Sequence, residues 1–576
     1  MSGALAQVLV RRGMADPVGA RAFLSAGEEH RPEAFAGIEE AVAVILGHVA
    51  RDTRITVHGD YDVDGICSTA VLVRALRGIG ADVDSYIPDR AGDGYGLKAA
   101  TVQRLADRGT RLLVTVDCAI TAVAEVAQAR ALEIDVVVTD HHAPRADGAL
   151  PQAPIVHPRL CGYPCAELCA TAVAYKLAQA LLEAGARGDA GEPAGERARA
   201  MLSRAALEQD LDLVALATIA DVVELLGENR ALTRRGLRAL ASTAKPGLRA
   251  LMAVAKVDPG KVDERAVAFA LAPRLNAAGR LYRADAGLEL LLTEDPLRAA
   301  QIAEELDSAN RERRQVEMGI RFQAEAQMAA QGERAAYVLA HDDWHPGVIG
   351  IVASRLVERS GRPVVLIALD GDTGRASGRS VAAFDLLAGL TACGEHLLSY
   401  GGHRAAAGLE IERARVAQFA GALSAHAERV LDPRDLVTVE RVDAIVGGDE
   451  LGMGLAEELR AMAPFGRGNP PVSLMVADAA FTDVTPMGEG KHARFTVESG
   501  GARARAVAFG CGGRLPSAGD GGQLQATFAL EVNEWNGVSE PRLVLREALA
   551  IDDALGGQEP QAEAHEETGE LVLFAR

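Results

Sequence analysis

The feature that most narrows the fold is a rhythm between residues 55 and 157, where short β-branched runs alternate with stretches of helical periodicity. ITVH, VDSYI, LLVTV, DVVVT and PIVH, at 55–58, 83–87, 112–116, 135–139 and 154–157, read as strands, and helical patterns at 67–79 and 122–132 separate them. Alternation at this spacing predicts a parallel, doubly wound sheet, with 211–225 closing the region. Ligands of such sheets bind beyond the carboxyl ends of the strands. The sequence places its acids and imidazoles there: His58, Asp62 and Asp64 in HGDYDVDG, Asp117 at the end of LLVTVD, and Asp140, His141 and His142 at the end of DVVVTD. Asp221 stands in the apolar segment LATIADVVEL.

Carboxylates crowded into one crevice repel each other unless a cation holds them. Oxygen ligands with a few imidazoles suit Mg²⁺ or Mn²⁺ rather than a structural zinc. There are more ligands than one ion needs, which predicts two ions about 3.5–4 Å apart. Cys118 follows Asp117, and strand alternation turns its side chain to the opposite face.

Beyond this region, residues 296–331 carry one long amphipathic pattern with Arg311, Arg313 and Arg314 on its polar side. A second α/β unit follows, with strands at 336–340 and 364–369 and a helix after Gly347. Alternating segments between 460 and 550, such as 523–532 and 543–548, predict a small β domain. The divisions expected are a helical segment at 1–50, the α/β domain with the carboxylates at 51–235, a helical connector at 236–335, the second α/β domain at 336–435, the β domain at 436–550 and an acidic tail at 551–576.

Composition sets outer limits. The apolar share of 49% and charged share of 24% belong to an ordinary globular chain, and no apolar run reaches the ~18–20 residues of a membrane span. The first residues lack a signal peptide's order, which predicts a cytoplasmic protein. The net charge of −20 argues at first against a polyanionic partner. Seven of the acids, however, lie from Asp552 onward, and lysine occurs only six times, so nearly all cationic charge is arginine, which forks onto phosphate. The seven cysteines are odd in number and scattered; Cys161, Cys165 and Cys169 share a four-residue spacing, but Pro164 interrupts it, and they read as reduced thiols.

HGDYDVDG, VDCA, TDHH and ATIADVV together resemble the four motifs of the DHH phosphoesterase family. By that resemblance His58, Asp62 and Asp117 hold one divalent cation, and Asp64, Asp117, His141 and Asp221 the other. His142 then polarises the scissile phosphate or protonates its leaving oxygen. The family pattern has glycine where this chain has Ala119. SGRS (Ser377 and Arg379) and YGGHRAAAG (Gly401, Gly402 and His403) resemble the substrate-binding motifs of the DHH-associated domain, in which the histidine contacts phosphate. LAPRLNAAGR (Arg274, Asn276 and Arg280), WHPGVIGIVASRL and FGRGNPP resemble the RecJ branch of the family.

That branch implies a parallel-sheet DHH domain, a long helix, a DHH-associated α/β domain and an OB-fold β-barrel. It also implies 5′→3′ exonuclease action on single-stranded DNA by two Mn²⁺ or Mg²⁺ ions, in recombination and repair. Arg90, Tyr95, Ser377 and Arg379 are then expected at the terminal 5′-phosphate, and Arg280 at the next phosphates. Single-strand-binding protein and a helicase are implied partners of a monomer. Of Phe481, Phe495, Phe509, Phe528 and Trp535, Trp535 is the aromatic expected to stack on bases. A DHH hydrolase acting on short RNA, oligonucleotides or cyclic dinucleotides, and a non-catalytic clamp on single-stranded DNA, are the alternatives.

Overall fold

The computed structural model describes all residues except 90–93, 188–203, 282, 433, 435–439, 517–522, 536 and 551–576, so Arg90 and the acidic tail lie outside the described residues, as do the side chains of Arg280 and Trp535. Strands β1 (Ile55–His58), β2 (Val83–Tyr86), β3 (Leu112–Thr115), β4 (Asp135–Thr139) and β5 (Ile155–Val156) form one sheet in the order β2-β1-β3-β4-β5, with every pairing parallel. β1 and β3, both fully buried, flank the point where strand order reverses, and a crevice opens there beyond their carboxyl ends.

The first helix of this sheet spans Val63–Gly78 and so begins four residues before the expected start. Asp62 caps it, accepting a hydrogen bond from the Gly65 amide at 3.0 Å. Cβ atoms on Gly59 and Gly65 would sit 2.1 Å from the Thr69 hydroxyl and 2.5 Å from the Asp60 amide nitrogen, so this loop closes only with glycine at both positions.

The long helix spans Pro296–Gln331, as its periodicity predicts, and joins the first domain to a second sheet. Strands β6 (Tyr337–His341), β7 (Val364–Asp370), β8 (Thr373–Arg379), β9 (Ser399–Gly402) and β10 (Ala406–Glu412) run in the order β6-β7-β8-β10-β9, and only β6–β7 is parallel. β11 (Ala444–Ile445) then pairs with a closed five-stranded barrel of β12 (Leu474–Met487), β13 (His492–Ser499), β14 (Ala502–Ala508), β15 (Leu524–Trp535) and β16 (Val538–Ala550), which β12–β15 pairing seals.

The helix Gly3–Arg11 belongs to this barrel. Ala4, Leu5, Val8 and Leu9 are buried in the barrel's core with Leu459 and Phe528, and Arg12 pairs with Asp443 and donates to Asn469 at 2.7 Å. The helix Ile38–Ala50, in contrast, packs into the core of the first sheet. Phe495 and Phe528 are barrel core, Phe481 packs against both, and Phe509 is exposed. Trp535 closes strand β15 opposite Val538. No helix among the described residues is long and apolar enough to cross a membrane.

Candidate metal centre and active site

The crevice gathers carboxylates from four segments. His58 ends β1 and is buried. Asp117 stands two residues past the end of β3 with φ at +61°, and Ala119 follows at +82°, so the chain leaves the extended conformation at Thr115. This break corrects the expectation for Cys118. Its thiol does not turn away but lies 3.5 Å from His58 Nδ1. The positive φ at Ala119 also explains why glycine suits this position.

Asp64 is held by the amino end of the helix Ala170–Arg187, accepting from the amides of Ala170 and Thr171 at 2.8 Å each and from the Thr171 hydroxyl at 2.6 Å. Asp221 caps the carboxyl end of the helix Leu211–Ala220, so a helix supplies this ligand rather than a strand. His141 joins the segments: its Nε2 lies 3.3 Å from Asp117 Oδ1, 3.8 Å from Asp64 Oδ2 and 3.8 Å from Asp221 Oδ2.

Three sets have ligand atoms close enough to share an ion: Asp64, His141 and Asp221; Asp60, Asp62 and Asp117; and Asp117, His141 and His142. Asp60 was missed by the sequence reading, although it stands in the same acidic loop. Asp117 belongs to two of the sets, the place of a bridging carboxylate. Asp117 Oδ1 and His141 Nε2 are both buried and make no hydrogen bond, a costly state for neighbouring polar atoms unless a cation sits between them. The residues therefore fit divalent cations.

Electrostatics agree. Burial first, then Asp64 and Asp62, hold the Asp117 carboxyl well above its ordinary value. The same three causes push Asp221 up to about 8, with His142 and Arg467 opposing. Burial favours the neutral form of His141, as a metal ligand requires. His142 goes the other way: burial opposes its charge, but the hydrogen bond and charge of Asp140, with Asp221 and Asp64, push it up to about 9. Asp140, which the sequence marks only as a strand-end acid, orients this pair. It accepts from the amides of Ile120, His141 and His142 and from His142 Nδ1 at 2.8 Å. Tyr95 caps the site, its hydroxyl 3.2 Å from His142 Nδ1 and donating to the Asp117 carbonyl at 3.3 Å.

The remaining expected residues divide. Asn276 Oδ1 accepts from the Val63 amide at 3.1 Å and braces the acidic loop. Arg274 is occupied by Asp307 at 2.9 Å and stands only 11% exposed, so its observed contacts are within the protein. Arg379 donates to the Ser377 hydroxyl at 3.0 Å, placing the two side by side at the end of β8. Gly401 and Gly402 end β9 and His403 follows it before β10, all three exposed and on the second unit rather than in the cluster. Gly402, at φ +139°, lies so close to Ala407 that a Cβ would clash.

Family models match in the same order as the domains: the DHH family N-terminal domain over residues 54–218, the DHHA1 domain over 332–430 and the RecJ OB domain over 442–547. The single-stranded-DNA-specific exonuclease RecJ of Bacillus subtilis is 35% identical over 557 residues, which cover 95% of this chain and 68% of that one. The chain belongs to the RecJ family. Escherichia coli RecJ is 36% identical over 88% of this chain and 89% of its own. The crystal structure of RecJ in complex with Mn²⁺ from Thermus thermophilus superposes with a TM-score of 0.78 at 31% identity, covering 95% of this chain and 76% of that chain. A second RecJ structure from that organism, in complex with Mg²⁺, gives a TM-score of 0.72. RecJ from that organism thus binds Mn²⁺ and Mg²⁺, the cation types that the donor chemistry here selects.

Proposed function

We propose that this protein is a 5′→3′ exonuclease that hydrolyses single-stranded DNA to 5′-mononucleotides, with His58, Asp62, Asp64, Asp117, His141 and Asp221 holding two divalent cations. The observation that carries this reading is the buried Asp117–His141 contact, whose facing atoms have no hydrogen-bond partner among the described residues and suit a shared cation. When bound, the ions lower the pKa of a water and offset charge on the phosphate. The protein's own groups supply the rest. Asp140, through its hydrogen bond to Nδ1, favours the protonated form of His142, whose exposed edge offers a proton to the departing 3′-oxygen. Tyr95 fixes the ring that carries this proton.

Ser377 and Arg379 form a paired donor set for the terminal 5′-phosphate, with Tyr95 and Arg90 closing that pocket and Arg280 taking the next phosphates. His403, with Gly401 and Gly402 allowing close backbone approach, supports a non-bridging oxygen. The barrel grips the strand beyond. Phosphate contacts carry no base information, so digestion is insensitive to sequence. In the cell the enzyme acts as a cytoplasmic monomer in recombination and repair, on strands opened by a helicase and coated by single-strand-binding protein.

Asp117→Ala tests the proposal. It is expected to abolish release of mononucleotides from 5′-phosphorylated single strands and to remove the stabilisation that Mn²⁺ gives to thermal unfolding. Retained turnover with unchanged Mn²⁺ response would end the two-cation scheme.

A further inference from the structure

The segment FGRGNPP does more than lead into the barrel. Residues 465–469 form a tight turn, closed by reciprocal backbone pairing of Gly466 and Asn469. The turn is anchored from both sides. Asn469, 1% exposed, donates its side-chain amide to the carbonyls of Met462 and Pro464 at 2.9 and 2.8 Å, and Arg12 donates to its oxygen. On the catalytic side, the Leu225 amide donates to the Arg467 carbonyl at 2.8 Å, and Glu264 accepts from the Phe465 amide at 3.0 Å. The fully buried Arg230 donates to the Pro464 carbonyl at 3.2 Å. Gly468 has φ at +75°, and a Cβ there would stand 3.2 Å from Leu226 and 3.3 Å from Glu224. A turn built this closely fixes the backbone from which its one long cationic side chain projects.

That side chain is Arg467. It is 61% exposed, and its only ion pair among the described residues is a loose one, 3.9 Å from Glu224. Its charge nonetheless reaches Asp221, three residues before Glu224. Between them in the chain stands Val222, a β-branched residue with φ at +57° and 60% exposed, a strained conformation beside Asp221. A weakly paired guanidinium projecting from a fixed turn on the barrel side of a phosphodiester site is placed for a phosphate.

We infer that Arg467 binds the backbone phosphate immediately 3′ of the scissile one, so that the turn before the barrel sets the register of the strand across the metal centre. The 3′ side is assigned because the proposed 5′-phosphate pair, Ser377 and Arg379, belongs to the second α/β unit, whereas Arg467 belongs to the turn before the barrel. This inference rests on the proposed exonuclease reading and adds a substrate subsite to it.

Substrate length separates the two. A 5′-phosphorylated dinucleotide has a scissile phosphate and none beyond it; a trinucleotide has one more. Wild-type protein with Mn²⁺ is first assayed on both, and failure to cleave either defeats the exonuclease reading itself. Given cleavage, Arg467→Ala is expected to raise KM for the trinucleotide roughly tenfold, the scale of one charge-assisted contact, and to leave the dinucleotide unchanged. Single-strand binding by the metal-free protein, read by fluorescence anisotropy, should lose about 0.7 from its log–log salt slope, and Arg467→Lys should recover most of that loss. Equal impairment of both substrates, or an unchanged salt slope, would overturn the inference and leave Arg467 as a structural partner of Glu224.

Discussion

Removing the cations should make the protein lose stability as pH rises, and Asp221 gives the effect a size. In the metal-free fold its carboxyl is pushed from 3.8 up to about 8, while in the unfolded chain it keeps its ordinary value. Between those values the folded state binds the proton and the unfolded state does not, so unfolding becomes easier with rising pH. The penalty is absent below about pH 4 and complete above about pH 8. Taken whole, such a displacement corresponds to roughly 5–6 kcal/mol. The side chain is 28% exposed and solvent screens it, so about 2–3 kcal/mol is the working figure. For a domain of this size that is roughly 4–12 °C in Tm. The assay is thermal unfolding of chelator-treated protein at about pH 5.5 and 8.5, either side of most of that window, beside Asp221→Asn, with and without Mn²⁺. Wild type should lose more stability than the variant between the two pH values, and Mn²⁺ should restore more at the higher one, because its ligands must be deprotonated. Identical pH slopes for wild type and Asp221→Asn would refute the reasoning.

Other expectations follow from single contacts. Asp140→Asn removes the charge that keeps His142 protonated, so the alkaline limb of the kcat profile should move down from about pH 9 and activity at about pH 8 should fall roughly 10–100-fold; an unmoved limb would dissociate His142 from proton donation. Ala119→Gly relieves a positive φ of 82° and should add up to about 1 kcal/mol in denaturant unfolding without loss of activity; a destabilised variant would contradict the strain. Arg379→Ala should erase the advantage of a 5′-phosphate over a 5′-hydroxyl terminus, and equal losses on both termini would remove its assignment.

The sequence exposed whatever follows from local periodicity and spacing. The long helix and the parallel strands fall within a residue or two of their expected bounds, because burial fixes their pattern, along one face of the helix and on both faces of β1 and β3. The acids of HGDYDVDG and TDHH were legible as a site because carboxylates clustered after strands have few structural uses. Cys118 was misread because alternation assumes an extended chain, and positive φ at Asp117 and Ala119 has no marker in a residue name other than glycine. Asp60 looked like a loop acid among three in alternate positions, and only the fold brings it to Asp62 and Asp117. Arg274 could not be told from a phosphate ligand, since Asp307 lies 33 residues away and meets it only through the packing of two helices. The same limit hid the turn at Arg467, whose partners at 225 and 264 are remote in sequence.

The helix Gly3–Arg11 is completed by residues that lie 431 to 457 positions later. At ribosomal speeds of about 5–20 residues per second, the apolar stripe of Leu5, Val8 and Leu9 waits roughly 25–110 s before the barrel that covers it, complete only at Ala550, exists. A nascent chain must therefore shield this stripe from its neighbours while both nucleotide-handling domains fold between its two halves. Assembly of the barrel then follows synthesis of both α/β domains, and it ties a segment made before them to one made after them.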